Sequence, residues 1–214
     1  MKPITFLLVF LSFFSQAQDP LRFKDEISSL ISRNDSLWDA NKETIVFTGS
    51  SSIRMWTDIQ NRFPDHQVIN TGFGGSQASD LKYYLHDVVL RYAPKKVFLY
   101  EGDNDVAEKK GWRTIMKDID FVVNAIKAYN PDTQIVLISP KPSVARWNLK
   151  KRYVKLNKKL KDYVDKTPNT VFIDMWPVMV KDRQLNEDIF IEDGIHMNTE
   201  GYDLWYNVLK DYVN

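Results

Sequence analysis

The sequence predicts an α/β fold: a three-layer α/β/α sandwich built on a flavodoxin-like, five-stranded parallel sheet. Five short segments rich in β-branched and aromatic residues alternate with longer stretches of helical spacing, and the connections between them are short and rich in turn residues. Strands separated in this way pair in parallel, because a parallel neighbour needs a crossover, and the crossovers cover both faces of the sheet. In chain order, an amphipathic segment from about 21 to 40 comes first, followed by a strand from Thr44 to Thr48 and a helix over about 52 to 62. Pro64 announces the second strand, Gln67 to Thr71, and Pro94 the third, Lys96 to Tyr100, with a helix over about 76 to 91 between them. A helix over 112 to 129 is closed by Asn130-Pro131 ahead of the strand Gln134 to Ser139. Helical spacing returns over 148 to 165, then a strand from Thr170 to Asp174, then a last helix from 199 to 212 that Thr199 can cap with Glu200 in its first turn. The Lys-rich stretch Lys150 to Lys161 carries Tyr153, Leu156 and Leu160 at helical spacing, which makes its lysines a solvated face.

Composition removes several functions. The 214 residues are 43% hydrophobic and 27% charged, as in an ordinary globular protein, and the formal net charge is +1. Such a balance offers no field to hold a nucleic acid or an anionic membrane, so neither is an expected partner. With no cysteine there are no disulfides, thiolate metal sites or cysteine nucleophiles. Any chemistry must use oxygen and imidazole.

At the N-terminus Lys2 precedes an apolar run from Ile4 to Phe14 and then Ser15-Gln16-Ala17, the small-x-small form a signal peptidase cuts. The run is about half of the roughly 20 residues that span a bilayer, so no lasting membrane anchor is expected. Residues 1–17 read as a signal peptide and 18–214 as one domain, exported to a periplasmic or extracellular location. Lys2 is the one charge removed, which leaves the mature chain formally neutral.

Ligands of an open parallel sheet bind beyond the carboxyl ends of its strands. The segments there are Gly49-Ser50-Ser51-Ser52, Gly72-Phe73-Gly74-Gly75-Ser76, Glu101-Gly102-Asp103-Asn104-Asp105 and Pro140-Lys141-Pro142-Ser143, with Glu192-Asp193-Gly194-Ile195-His196 before the last helix. Of the three histidines, His86 lies mid-helix and His66 in a turn, both with structural or surface roles; His196 stands three residues after Asp193 in a glycine-containing loop. One segment can thus offer a base and the carboxylate that fixes its tautomer. Ser51 follows the first strand at a turn into a helix, Gly75 lets a backbone N–H approach a substrate, and Asn104 can supply a side-chain donor. Each also has a plainer role in capping or turning the chain. Their joint occurrence at successive strand ends favours a hydrolase.

The blocks FTGSSSIRMW, VINTGFGGSQASD, YEGDNDV and EDGIHMNTEGY, in this order, resemble blocks I, II, III and V of the SGNH, or GDSL-type, hydrolases over about residues 44 to 210. The resemblance implies an esterase with Ser51 as nucleophile, His196 as general base and Asp193 as its orienting acid. It implies an oxyanion hole from Ser51, Gly75 and Asn104. The chain departs from the family at Ser50, where the name motif has aspartate; that aspartate is not the triad acid, so activity is expected to survive. No metal or cofactor is expected.

Substrate is approached through the compartment. Export and a neutral surface suit hydrolysis of small-molecule or glycan esters, O-acetyl groups on carbohydrates above all, and no long apolar lid segment favours larger acyl groups. Arg146 and Trp147, after the fourth strand, are the candidate substrate-binding residues, and Trp56 and Trp112 are further candidates for stacking on sugars. Competing readings are a lysophospholipase or thioesterase, and a silent carbohydrate-binding protein. Ser76 in Gly74-Gly75-Ser76-Gln77-Ala78 approximates the Gly-x-Ser-x-Gly elbow, yet it comes after only two strands. Nucleotide binding is disfavoured by Gln77 at the third glycine position of the fingerprint and by the lack of a GKS or GKT loop. A metal-dependent hydrolase would need more histidine or a compact carboxylate cluster; Glu101, Asp103 and Asp105 could bind a cation, but that reading is disfavoured.

Overall fold

The computed structural model describes residues 19–182 and 184–213. The expected signal peptide, residues 1–17, lies outside the described residues. The five expected strands are β1 (Thr44–Gly49), β2 (Gln67–Asn70), β3 (Lys96–Tyr100), β4 (Gln134–Ile138) and β5 (Thr170–Ile173). They form one parallel sheet in the order β2-β1-β3-β4-β5. The order reverses at β1, which places a crevice between the loops that follow β1 and β3.

Alternation along each strand divides the core in two. Val46, Val97, Leu99, Ile135 and Leu137 face α1 (Lys24–Asp35), α4 (Ala78–Val88), α6 (Trp112–Tyr129) and α7 (Lys150–Val164). Phe47, Phe98, Tyr100, Val136 and Ile138 face α2 (Ser51–Arg54), α3 (Ile59–Arg62), α8 (Trp176–Met179) and α9 (Thr199–Leu209). Burying an aliphatic or aromatic side chain fully contributes about 1.5–3 kcal/mol, so positions at 0% exposure such as Phe47, Val97 and Val136 carry the sheet. Phe47 and Phe98, paired in register on β1 and β3, stack with centroids 4.2 Å apart. In α6 the buried residues Ile115, Ile119, Val122, Val123 and Ile126 form one stripe, as the helical spacing predicts. Lys151, Lys155 and Lys158 of α7 are exposed while Tyr153, Leu156 and Leu160 are buried.

Three local readings change. The helix expected over 52 to 62 is two single turns, α2 and α3, because the chain turns inward to bury Trp56 completely between them. The Asn70 amide donates to the Ile53 and Trp56 carbonyls at 2.8 and 3.2 Å, taking acceptors a continuous helix would use. At α9 the cap is Asn198, whose side chain accepts from Gly201 N–H at 3.1 Å, one residue before the Thr199 expected. A small antiparallel pair, β6 (Val180–Lys181) and β7 (Gln184–Leu185), was not legible, since two-residue strands carry no periodicity.

Gly49 is the residue on which β1 turns into the crevice. Its φ is +130°, and a Cβ there would stand 2.0 Å from the Tyr100 carbonyl oxygen on the neighbouring strand. Gly49→Ala is therefore expected to cost about 3 kcal/mol or more of stability. A denaturant midpoint close to wild type would contradict the fit at this position.

Candidate active site

Five loops meet at the carboxyl edge of the sheet. The Ser50 N–H donates to Tyr100 O at 3.1 Å and the Phe73 N–H to Gly49 O at 2.9 Å, so the segments after β1, β2 and β3 are tied side by side. Ser51 begins α2, and α9 secures that turn through the Tyr202 hydroxyl, which donates to Ser52 O at 3.0 Å.

The segment before α9 returns to the same edge. His196 Nε2 lies 2.7 Å from Ser51 Oγ and His196 Nδ1 lies 2.5 Å from Asp193 Oδ2. Asp193 Oδ1 accepts the Ile195 and His196 backbone N–H groups at 2.8 and 2.9 Å. A carboxylate can only accept, so Nδ1 carries the proton and the Nε2 lone pair faces the Ser51 hydroxyl. Burial pushes the Asp193 carboxyl up, but the bond from the His196 ring and the two backbone amides outweigh it and hold the pKa at about 2.

Gly75 and Asn104 stand in the loops after β2 and β3, at this same edge of the sheet. Gly75 has φ +73° and an exposed backbone, and nothing lies within 4 Å of where a Cβ would project. The Glu26 carboxylate, from α1, accepts the Gly74 N–H at 2.9 Å and steadies this turn. Asn104, in the first turn of α5 (Asp103–Ala107), donates through Nδ2 to Ser76 O at 2.7 Å and accepts at Oδ1 from Arg146 at 3.0 Å. Together with Asn104 and Arg146, Gly74 and Gly75 line a cleft of about 1390 Å³ that reaches to Arg22 and Phe23.

Arg146 and Trp147 follow β4 as expected but serve different surroundings. The Arg146 guanidinium turns inward, 2.6 Å from Asp103 Oδ1 and 3.0 Å from Asn104 Oδ1. Trp147 stacks on Trp176 with centroids 6.1 Å apart and lines a second cleft of about 870 Å³ with Gln184, Asn186, Glu187 and Asp188. Trp56 is fully buried against Tyr202 and cannot meet a sugar, and Trp112 lies half-buried under Lys155 and Lys159. His86 is exposed on α4.

Ser76 is buried and its hydroxyl donates to Glu101 Oε1 at 2.6 Å; its hydrogen bond is to a carboxyl group, where the elbow reading needs a histidine. Burial, then the nearby charges of Asp105 and Asp80, push the Glu101 carboxyl well above its ordinary range, against the Ser76 bond that lowers it. A group whose pKa is raised on folding stabilises most below its unfolded value and loses that contribution as pH rises through the folded one. Glu101→Gln should therefore melt near wild type at pH 5 and above it at pH 9. Equal melting temperatures at both pH values would show that Glu101 is ionised when folded.

The sequence offers Asp103 only as a possible cation ligand and gives Lys141 no role, yet both are buried and held by protein groups at this edge. Asp103 is buried and accepts from the Tyr100 and Tyr153 hydroxyls at 2.7 and 2.6 Å as well as from Arg146. Lys141, at 0% exposure, lies 3.9 Å from Asp103 Oδ2 and donates through Nζ to Ile195 O at 2.5 Å, directly before His196. Desolvation lowers the Lys141 pKa and the Asp103 charge opposes that fall. The sequence signal they share is position, since both follow apolar strands that end at this edge of the sheet.

A parallel α/β sheet with a serine–histidine–carboxylate series at the carboxyl end of its strands defines a hydrolase fold. Residues 35–204 match the model of the GDSL-like Lipase/Acylhydrolase family, and the chain belongs to that family of ester hydrolases. No curated protein is significantly similar to it. A GDSL-like lipase from Bacteroides thetaiotaomicron superposes with a TM-score of 0.73 at 21% identity, covering 91% of this chain and 97% of that one. A carbohydrate esterase family 3 protein from Talaromyces cellulolyticus gives 0.65 at 16% identity, covering 80% and 96%. An acetylxylan esterase from Geobacillus stearothermophilus gives 0.65 at 17%, covering 79% and 93%. At these identities the likeness establishes the fold.

Proposed function

We propose that this chain is an exported serine esterase that removes short acyl groups, foremost O-acetyl groups on carbohydrates. The observation that carries the reading is the continuous hydrogen-bonded series Asp193–His196–Ser51. His196 Nε2 takes the Ser51 proton as Oγ attacks the ester carbonyl, and Asp193 stabilises the imidazolium that forms. The Ser51 and Gly75 N–H groups and the second N–H of the Asn104 amide receive the charge that develops on the carbonyl oxygen. The proton then passes from His196 to the departing alcohol, and water, activated by the same imidazole, releases the acyl group.

Two features support a small acyl group and a sugar alcohol. The cleft beside Gly75 and Asn104 is lined largely by polar and charged residues, including Arg22, Glu26, Gln77 and Lys110, a poor bed for a long hydrocarbon chain. The cleft beside Trp147 sets an aromatic ring among amide and carboxylate side chains, the chemistry that recognises sugar faces and hydroxyls. Likeness to an acetylxylan esterase and a carbohydrate esterase agrees with this choice. Export rests on the N-terminal pattern of residues 1–17, and no helix among the described residues is long and apolar enough to cross a membrane.

The test compares kcat/KM on p-nitrophenyl acetate and p-nitrophenyl octanoate, with acetate release from an acetylated xylo-oligosaccharide. Acetate should exceed octanoate by about tenfold or more, since a long chain would have to displace water from polar and charged side chains that it cannot hydrogen-bond. Preference for octanoate or a lysophospholipid would overturn the substrate assignment. Intact mass of the protein secreted by a bacterial host should correspond to a chain beginning at Gln18.

A further inference from the structure

We infer that Arg146 is a positioning residue of the reaction, acting through Asn104 to fix the orientation of the side-chain oxyanion donor. The inference rests on the oxyanion role proposed above for Asn104. An amide has two ends, and only one orientation of Asn104 fits its neighbours. Ser76 O can only accept and the Arg146 guanidinium can only donate, so Nδ2 must face the first, at 2.7 Å, and Oδ1 the second, at 3.0 Å. With both ends held, the amide plane is set, and the second Nδ2 hydrogen has a defined direction. With Arg146 gone, the amide is held at one point and can pivot about the bond to Ser76 O.

Arg146 is itself held. Its other terminal nitrogen pairs with Asp103 at 2.6 Å, and Asp103 is fixed in turn by the Tyr100 and Tyr153 hydroxyls from β3 and α7. Its side chain is 17% exposed, so the fork lies mostly beneath the crevice and spends its terminal nitrogens on protein groups. A preorganised donor is effective because it need not reorient as charge develops. The guanidinium also sits on the amide oxygen, where its charge polarises the N–H bonds at the opposite end. A lysine at this position could keep the ion pair with Asp103, but one ammonium cannot reproduce the two-pronged contact.

The test is a double-mutant cycle on p-nitrophenyl acetate with Arg146→Lys, Asn104→Ala and both together. Asn104→Ala alone should lower kcat roughly 10²- to 10³-fold, as for loss of one oxyanion donor. Arg146→Lys alone should lower kcat about tenfold or more with KM within about twofold, while its melting temperature stays within a few degrees. In the Asn104→Ala background the same change should alter kcat by less than about threefold, because the group it positions is absent. Losses that multiply would overturn the inference, and so would an effect on KM alone, which would make Arg146 a substrate contact. Full turnover in Asn104→Ala would overturn the oxyanion assignment itself and leave the Ser51 assignment standing. Should Arg146→Lys lack a cooperative melt, Arg146→Met completes the same cycle with the same expected outcomes.

Discussion

Ser51→Ala should lower turnover on p-nitrophenyl acetate by at least about 10⁴-fold while the protein melts as wild type. Both halves of this expectation follow from where Ser51 stands. It is the first residue of α2, preceded by Ser50 at the cap position and followed by the buried Ser52 and Ile53, so alanine there removes one hydroxyl and no packing. What it removes is the oxygen 2.7 Å from His196 Nε2, the atom that must form the covalent bond. The oxyanion donors remain and sustain a residual rate, which is why the loss is finite. Ser76→Ala, by contrast, should retain turnover, because that hydroxyl is buried on Glu101.

An isosteric change should do nearly as much damage. In Asp193→Asn, the side-chain oxygen is claimed by the Ile195 and His196 backbone N–H groups, which donate to Oδ1 at 2.8 and 2.9 Å. The new NH2 then occupies the place of Oδ2 and donates to His196 Nδ1, which forces the ring proton onto Nε2. An imidazole in that tautomer cannot take the Ser51 proton, and kcat should fall about 10⁴-fold with KM little changed. The same variant should alter the acid limb of stability. The Asp193 pKa falls from 3.8 to about 2 on folding, so its contribution is full above pH 4 and lost as pH falls towards 2. Asp193→Asn lacks that component, and an unchanged acid unfolding profile would show that the carboxylate is not held in this way.

Much of this was readable from the chain because the relevant signals are local. Lys96–Tyr100 and Trp112–Tyr129 match their expected bounds, since a strand buried on both faces and a helix with one apolar stripe each repeat a period. Ser51, Gly75, Asn104, Asp193 and His196 all lie just beyond strands or before the last helix, where sheet topology concentrates function. What escaped needed partners remote in sequence. The break between α2 and α3 depends on Asn70 and on the burial of Trp56 against α9, more than 140 residues away. Likewise, Arg146 read as a candidate sugar contact, because nothing near it in the chain reveals that Asp103 and Asn104 will receive both ends of its guanidinium. A polar side chain's direction is decided by the completed fold.

The central claim is that Ser51 is the nucleophile activated by His196, and covalent trapping tests it most directly. The protein would be treated with a fluorophosphonate, digested, and its peptides mapped by mass spectrometry. The account predicts a single phosphonyl addition, on Ser51, that is abolished in Ser51→Ala and strongly slowed in Asp193→Asn. Addition at Ser50, Ser52 or Ser76, or labelling of Ser51→Ala at the wild-type rate, would contradict it.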